Sequence, residues 1–139
     1  MVELEEILPS EQQVRILYKL LEARRHSISH SLLPEYKCHK EFVEQHPYRV
    51  WYLVKFDGAY VGSVYLNQDN TIGVNIDDEV VSECLGGVVA KLKSSFAPLP
   101  AVRSVRAGFF AVNVPPDNEA LVEAMRNIGG RVVQISFRV

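Results

Sequence analysis

The chain has 139 residues, a formal net charge of −2 and 47% hydrophobic residues, a composition typical of one soluble globular domain. The near-neutral charge gives no sign of nucleic-acid or membrane-surface binding, and no apolar run reaches the roughly 20 residues of a membrane span. Cys38 and Cys84 lack metal-finger or CxxC spacing, which favours a reducing compartment. Because the acidic N-terminal sequence is unlike a secretory signal, we expect a cytoplasmic protein with a single domain over residues 1–139.

The first third of the chain predicts a strand followed by two helices. Residues 2–7 alternate apolar and acidic side chains, which is typical of a short edge strand. Ser10 and Gln13 have the spacing of a capping box, so we expect a helix to begin there. Pro34 is well placed to begin a second helix, which stops before Pro47.

The middle of the chain predicts an antiparallel meander that leads into a central helix. Residues 49–56, 60–66 and 71–76 are rich in β-branched and aromatic side chains. Asp57-Gly58, between the first two of these segments, is a strong hairpin signal. Apolar residues at positions 81, 84, 85, 88, 89 and 92 then follow helical spacing.

The last third predicts a strand, a helix and a final strand. Residues 105–112 favour a strand, and the helix that follows Asn118 ends at Gly129-Gly130. Residues 131–139 place an apolar side chain at every second position, which indicates another strand. This order is typical of an α+β (mixed α/β) domain with a central, mostly antiparallel sheet and about four helices.

The junction between residues 72–76 and the central helix has the architecture of an anion site. Free amides and the helix dipole converge where a strand runs into a helix. Residues 77–83 at this junction are acidic and β-branched and include no glycine, so their chemistry argues against a phosphate.

Three segments have an order and spacing found together in one superfamily. They are His46-Pro-Tyr-Arg-Val-Trp-Tyr-Leu-Val54 with Tyr60-Val-Gly-Ser-Val-Tyr-Leu66, then Ile72-Gly-Val-Asn-Ile76, and lastly Phe110-Ala-Val-Asn113 through Asn118 to Gly129. Over essentially its whole length the chain therefore resembles the GNAT superfamily of N-acetyltransferases, in particular those that act on nucleotide-linked amino sugars.

The resemblance implies that acetyl-CoA binds where the fourth and fifth strands splay apart, with its pantetheine lying between them like a short strand. Backbone amides there would polarise the thioester carbonyl while an acceptor amine attacks it. The cofactor-binding residues implied by position are Val74, Asn75, Ile76, Ser82, Asn113 and Asn118. Asn118 and Ser82 also have a structural interpretation as helix caps.

The chain departs from the superfamily pattern at the pyrophosphate loop, which we interpret as degenerate. The glutamine or arginine and the glycines of that loop align with Val80, Val81, Glu83 and Leu85. Met125 occupies the place of the tyrosine that often protonates the leaving thiolate, and Gly129-Gly130 replaces the usual Gly-Phe.

Glu44, His46 and Tyr65 are the candidate catalytic residues on the acceptor side. Glu44 and His46 lie near the end of the second predicted helix, where either side chain has the chemistry of a general base. The alternatives are a solvated carboxylate, a packed histidine and a core aromatic ring. His39 and His46 are seven residues apart, about 10.5 Å along a helix, so no metal site is expected.

The first function hypothesis is N-acetylation of a small amine, such as an amino sugar, by acetyl-CoA. The alternatives are a catalytically inactive GNAT-like domain used for binding or assembly, and an acyltransferase whose donor is bound to a carrier protein. We expect no nucleic-acid, membrane or metal partner, and a homodimer stays open.

Two structural features separate these hypotheses. We expect the fourth and fifth strands to diverge near Asn75 and Ala111, because Asn113-Val-Pro-Pro116 cannot continue a sheet ladder. If Asp77 or Asp78 caps the central helix, the first backbone amides of the helix donate hydrogen bonds within the protein and are not available to a ligand. If Ser82 caps it, residues 78–81 stay a loop that can bind an anion.

Overall fold

The computed structural model describes residues 1–24 and 32–139. Five strands are formed by these residues: β1 (Val2–Glu6), β2 (Val50–Phe56), β3 (Ala59–Leu66), β4 (Thr71–Ile76) and β5 (Ala111–Asn113). The described helices are α1 (Glu11–Glu22), α2 (Tyr36–Glu44), α3 (Val81–Ser95) and α4 (Glu119–Asn127). None of these helices is long and apolar enough to cross a membrane.

The strands form one sheet in the order β1-β2-β3-β4-β5. The first four strands pair antiparallel and β5 pairs parallel to β4, so the α+β prediction is confirmed. One face of the sheet packs on α3 and α4 through a core that includes Leu66, Leu85 and Leu121. The other face packs on α1 and α2 through Val14 and Val43.

Local signals in the sequence explain the first elements. Asp57 and Gly58 both have positive φ, 50° and 84°, as a two-residue hairpin turn requires. The Ser10 side chain accepts a hydrogen bond from Gln13 N at 3.2 Å and begins α1. Gln13 does not complete the predicted capping box, because its side-chain oxygen accepts instead from Leu8 N at 2.8 Å.

Two predicted strands differ from the structure. Only Ala111–Asn113 forms β5, whereas the sequence predicts a strand over residues 105–112. Arg106 explains part of this difference, because its side chain donates to the carbonyls of Pro100 and Gln68 and holds the segment as a loop. The strand predicted for residues 131–139 is wrong: the segment has no regular secondary structure and every residue is exposed.

Candidate functional site

β4 and β5 separate after three paired residues. Their ladder begins at Thr71 and Ala111 and ends at Gly73 and Asn113, whereas β4 continues to Ile76 without β5. Asn113 is followed within two residues by Pro115-Pro116, and proline lacks the N–H that would extend the ladder. The predicted divergence of these strands is therefore confirmed.

The backbone groups on the open edge of β4 belong to alternate residues. Asp77 N donates to Val61 O at 3.0 Å, so the backbone of Asp77 faces β3. Because successive residues of a strand face opposite neighbours, Asn75 also faces β3 and the backbone groups of Val74 and Ile76 face the gap. The N–H of Ile76 lies beyond the last pair with β5, where it can donate to a ligand.

A cavity of about 830 Å³ lies between the sheet and the α1–α2 side of the molecule and extends to the open end of β4. Its sheet side includes Trp51 of β2, Ser63 and Tyr65 of β3 and Asn75 of β4. These positions share a face because Ser63 pairs with Asn75 and Tyr65 with Trp51. Asp77, Asp78, Pro115 and Asn118 line the cavity where the strands diverge. The volume is in the range of small-molecule sites.

Tyr65 is held in place by its neighbours on both sides. Its ring stacks on Tyr48, with centroids 4.0 Å apart and planes 10° apart. The ring also covers Gly73, where an added Cβ would overlap the phenol carbons. Burial and the Tyr65 phenol raise the pKa of Tyr48 to about 12, against the opposing charge of Arg24. Tyr48 is therefore a neutral hydroxyl at physiological pH.

Trp51 lines the same cavity and has a buried indole N–H. The side chain is 7% exposed, and Nε1 has no hydrogen-bond partner among the described residues. Trp51 also packs edge-on against Phe42 with ring centroids 6.0 Å apart. A buried polar group without a partner is costly, so this indole N–H is a site of lost hydrogen-bond energy in the wall of the cavity.

His39 and His46 have different environments. His39 lines the cavity, its Nε2 donates to Val14 O at 3.0 Å, and burial lowers its pKa. That bond joins α2 to α1, as expected of a packed histidine. His46 packs on Trp51 with ring centroids 5.2 Å apart, and its Nδ1 accepts from Tyr48 N at 3.2 Å. Burial lowers the pKa of His46 as well.

The structure brings together some of the predicted site residues. Those that line the cavity are Tyr65, Val74, Asn75, Ile76 and Asn118, and those outside its lining are Glu44, His46, Ser82 and Asn113. Glu44 is exposed at the end of α2, Ser82 is exposed in the first turn of α3, and Asn113 is exposed at the end of β5. Asn118 caps α4 by accepting from Leu121 N at 3.1 Å.

Sequence reasoning missed Ser63 and Arg24 as cavity residues. Ser63 lies two positions before Tyr65 on the same strand, so period-two alternation places both side chains on one face. Arg24 follows α1, where the sequence suggests only a favourable interaction with the helix dipole. Burial lowers the pKa of Arg24, and the phenols of Tyr65 and Tyr48 oppose this shift.

The start of α3 uses most of its backbone amides within the protein. Glu79 N donates to the Asp77 side chain at 2.9 Å, and the amides of Val80 and Val81 donate to Asp77 O at 3.1 and 3.0 Å. Glu83 N donates to Val80 O at 3.0 Å. α3 begins at Val81 after Val80 and has no side-chain cap. Asp77 thus caps the preceding turn rather than the helix itself, and Val81 enters the first turn.

Two of the four residues aligned with the pyrophosphate loop belong to the core. Val81 is 2% exposed and Leu85 is fully buried, and both pack among the side chains between α3 and the sheet. Val80 is partly buried against the same core, whereas Glu83 is exposed. Val81 and Leu85 therefore stabilise the core at positions that the resemblance aligns with the loop.

Comparison with solved structures gives matches along the whole chain. An aminoglycoside acetyltransferase from an uncultured soil metagenomic sample, in complex with sisomicin, has a TM-score of 0.56 and 11% identity over 99% of this chain and 96% of its own. A second such enzyme of soil metagenomic origin has a TM-score of 0.57 and 12% identity over 100% and 97%. The chain has the fold of the GNAT acetyltransferases.

One further similar structure contains a coenzyme A analogue. The acetyltransferase AAC(6')-Iy, in complex with the bisubstrate analogue CoA-S-monomethyl-acetylneamine, has a TM-score of 0.55 and 10% identity over 100% of this chain and 99% of its own. No protein-family model and no curated protein sequence matches the chain. In the part of the chain that the structure describes, no cluster of three or more His, Cys, Asp or Glu side chains could hold a metal ion.

Proposed function

We propose that the protein is an N-acetyltransferase that transfers the acetyl group of acetyl-CoA to a small amine. The observation that carries this proposal is the junction of the 830 Å³ cavity with the open edge of β4. An acceptor in the cavity and a thioester along Val74–Ile76 would meet at this junction. The GNAT-like fold of the chain supports the same assignment.

The chemistry needs few protein groups. The neutral amine nitrogen attacks the thioester carbonyl carbon, a C–N bond forms, the C–S bond breaks, and the thiolate leaves as the amine loses a proton. The N–H of Ile76 is placed to stabilise the charge that develops on the carbonyl oxygen. Tyr65 is the catalytic candidate that lines the cavity, and we assign its hydroxyl to proton transfer at the reacting groups.

The cavity wall suits a cationic, hydroxylated acceptor. Asp77 supplies a carboxylate for an ammonium group at the edge of the cavity, and the stacked rings of Tyr48 and Tyr65 form an aromatic wall beside it. The Ser63 side chain, in the cavity lining, has a hydroxyl that can pair with an acceptor hydroxyl. Amino sugars combine these groups. One similar structure is in complex with sisomicin and another with the bisubstrate analogue CoA-S-monomethyl-acetylneamine, so amino sugars are the first acceptors to test.

The experiment is thiol release from acetyl-CoA with a panel of aminoglycosides, glucosamine derivatives, polyamines and amino acids. Ser63→Leu fills the cavity, and we expect it to reduce turnover at least tenfold. Ser94→Leu is the matched control, since Ser94 lies exposed at the end of α3. Absence of acetylated product with every amine would refute the proposal. Ligand binding without turnover would instead indicate a non-catalytic binding domain.

A second candidate is an acyltransferase whose donor is held by pantetheine alone, as on a carrier protein. The start of α3 favours this candidate, because most backbone N–H groups there donate within the protein and few remain to bind a pyrophosphate. We would compare kcat/KM for acetyl-CoA and acetyl-pantetheine. Similar values support the second candidate, whereas a preference for acetyl-CoA of tenfold or more supports the first.

Glu83 provides a separate test of the phosphate contacts. Its carboxylate is exposed in the first turn of α3, where it repels an approaching phosphate. Glu83→Gln should lower the KM for acetyl-CoA and leave the KM for acetyl-pantetheine unchanged. Equal effects on both donors would place the nucleotide away from α3.

A further inference from the structure

Along β3 and β4, the wall of the cavity changes from aromatic to polar to acidic. Tyr65 covers Gly73 at one end. Ser63 pairs with Asn75 in the middle, and Asp77 lines the cavity beyond the last residue pair of β4 with β5. Because residues two apart on a strand share a face, these side chains form one continuous strip. The polar pair in the middle of the strip has no role in the chemical step proposed above.

The Ser63 hydroxyl is a buried polar group in the wall of the cavity. Ser63 is 7% exposed, and its hydroxyl has no hydrogen-bond partner within residues 1–24 and 32–139. On the β2 side it is opposed by Leu53, which is fully buried and apolar. On the β4 side it is opposed by Asn75, whose side-chain amide can donate and accept. Since a buried hydroxyl is costly without a hydrogen bond, this pair suits a polar group of a ligand in the cavity.

Asn75 lies next to the backbone group that we assign to the thioester. The peptide bond that follows Asn75 contains the N–H of Ile76, which faces the gap beside β5. Directly opposed residues of two antiparallel strands have Cβ atoms about 5 Å apart, so Ser63 lies one strand further from the gap. The polar pair therefore begins one residue from the place where the acceptor amine attacks.

A hydroxyl is the ligand group that fits this pair best. It donates one hydrogen bond and accepts others, so it can accept from the Asn75 amide and donate to the Ser63 oxygen. An ammonium group has no acceptor for the donors of the pair. A carboxylate would be repelled by the Asp77 carboxylate on the same strip.

We propose that Ser63 and Asn75 form a subsite for a hydroxyl on the carbon next to the amine-bearing carbon of the acceptor. The protein would thus select vicinal amino alcohols, and this inference rests on the proposed function. In such an acceptor three bonds separate the nitrogen from the oxygen, and a hydrogen bond of about 2.8 Å then reaches the pair. A hydroxyl on a remote carbon lies beyond the pair while the amine attacks. Polyamines, which lack a hydroxyl, cannot use the subsite.

The first experiment compares two isomers as acceptors of acetyl-CoA, trans-2-aminocyclohexanol and trans-4-aminocyclohexanol, which differ only in the position of the hydroxyl. Two hydrogen bonds that only the 2-isomer can form should raise its kcat/KM about tenfold over that of the 4-isomer. In Ser63→Ala this preference should fall to about threefold, because one of the two hydrogen bonds remains. Ser63→Thr retains the hydroxyl and should retain the preference.

Ser94→Ala is the matched control, because Ser94 is exposed at the end of α3 and its loss should leave the preference unchanged. Each comparison is a ratio within one protein, so a general loss of stability does not imitate the effect. A native protein that acetylates both isomers equally would overturn the proposal. A preference that persists unchanged in Ser63→Ala would overturn it as well.

A binding measurement distinguishes failure of this inference from failure of the proposed function. ¹⁵N-labelled protein is titrated with each isomer in the absence of acetyl-CoA, and the side-chain amide signals of Asn75 are followed by NMR. We expect the 2-isomer to shift these signals and to bind at least about threefold more tightly than the 4-isomer. This result without acetylation of any amine would refute the proposed function and support the subsite. Equal Kd values, or no shift at Asn75 with either isomer, would overturn the subsite even if both are acetylated.

Discussion

Asn70 joins the turn between β3 and β4 to the loop that precedes β5. It is completely buried and has φ +69°. Its side-chain nitrogen donates to Leu99 O at 2.9 Å and to Ala107 O at 2.7 Å, and its side-chain oxygen accepts from Leu99 N at 2.8 Å. Its carbonyl also accepts from Ala111 N at 3.2 Å. This residue therefore fixes the position from which β5 begins.

We expect Asn70→Ala to lower the free energy of unfolding by about 4 kcal/mol. Three lost side-chain hydrogen bonds contribute about 1 kcal/mol each, and alanine at positive φ adds about 1 kcal/mol. Asn70→Gly loses the same bonds without the backbone strain, so it should cost about 3 kcal/mol. The matched control is Asn67→Ala, which removes one partly exposed bond to Thr71 Oγ1 and should cost about 1 kcal/mol or less.

Urea unfolding of the three variants and the native protein gives these differences, provided that the m-values agree. Amide hydrogen exchange at Ala111 should accelerate in both Asn70 variants and stay unchanged in Asn67→Ala. Our reasoning is refuted if Asn70→Ala costs no more than Asn67→Ala. Equal costs for the alanine and glycine variants would refute the contribution assigned to positive φ.

Three further predictions concern the site. Burial lowers the pKa of His39 in the folded protein, so the unfolded chain binds more protons. The free energy of unfolding should therefore decrease as pH falls below about 6.5. His39→Gln should flatten this dependence between pH 7 and pH 5 more than His46→Gln does, since His39 is the more buried. Gly73→Ala should displace the Tyr65 ring, seen as a changed near-ultraviolet circular dichroism spectrum, and an unchanged spectrum would contradict the close contact. Tyr65→Phe should lower kcat at least tenfold if its hydroxyl transfers a proton, whereas Tyr52→Phe, outside the cavity lining, should have native kcat.

Periodicity and turn chemistry predicted the elements whose partners are close in sequence. The hairpin at Asp57-Gly58, the meander and the helix cap at Asn118 depend on a few neighbouring residues, which the sequence displays directly. The divergence of β4 from β5 was also predictable, because Pro115-Pro116 follows Asn113. The GNAT resemblance implied that these strands splay apart, but their parallel pairing was not predicted, because local patterns do not specify it.

The missed features depend on contacts between distant residues. Asn70 resembles an ordinary turn residue in the sequence, yet it binds a loop that lies 29 to 37 positions away. Residues 131–139 have a strand pattern, but alternation indicates only that a segment would fit a sheet and not that a sheet edge is available to it. Trp51 has the sequence context of a core or pocket aromatic, and only the packed structure reveals that its N–H has no partner among the described residues.

The start of α3 shows that the core and a phosphate site compete for the same residues. Replacing Leu85 by a glycine would remove a fully buried side chain, a change that costs about 2–5 kcal/mol even when alanine replaces leucine. One amide hydrogen bond to a charged ligand group contributes about 1.5–3 kcal/mol. Since Val81 is buried beside Leu85, losing both side chains would cost stability of the same order as several new amide–phosphate hydrogen bonds would supply. The residues at the start of this helix therefore favour folding stability, and we expect the affinity for the proposed donor to come mainly from hydrogen bonds and packing along β4.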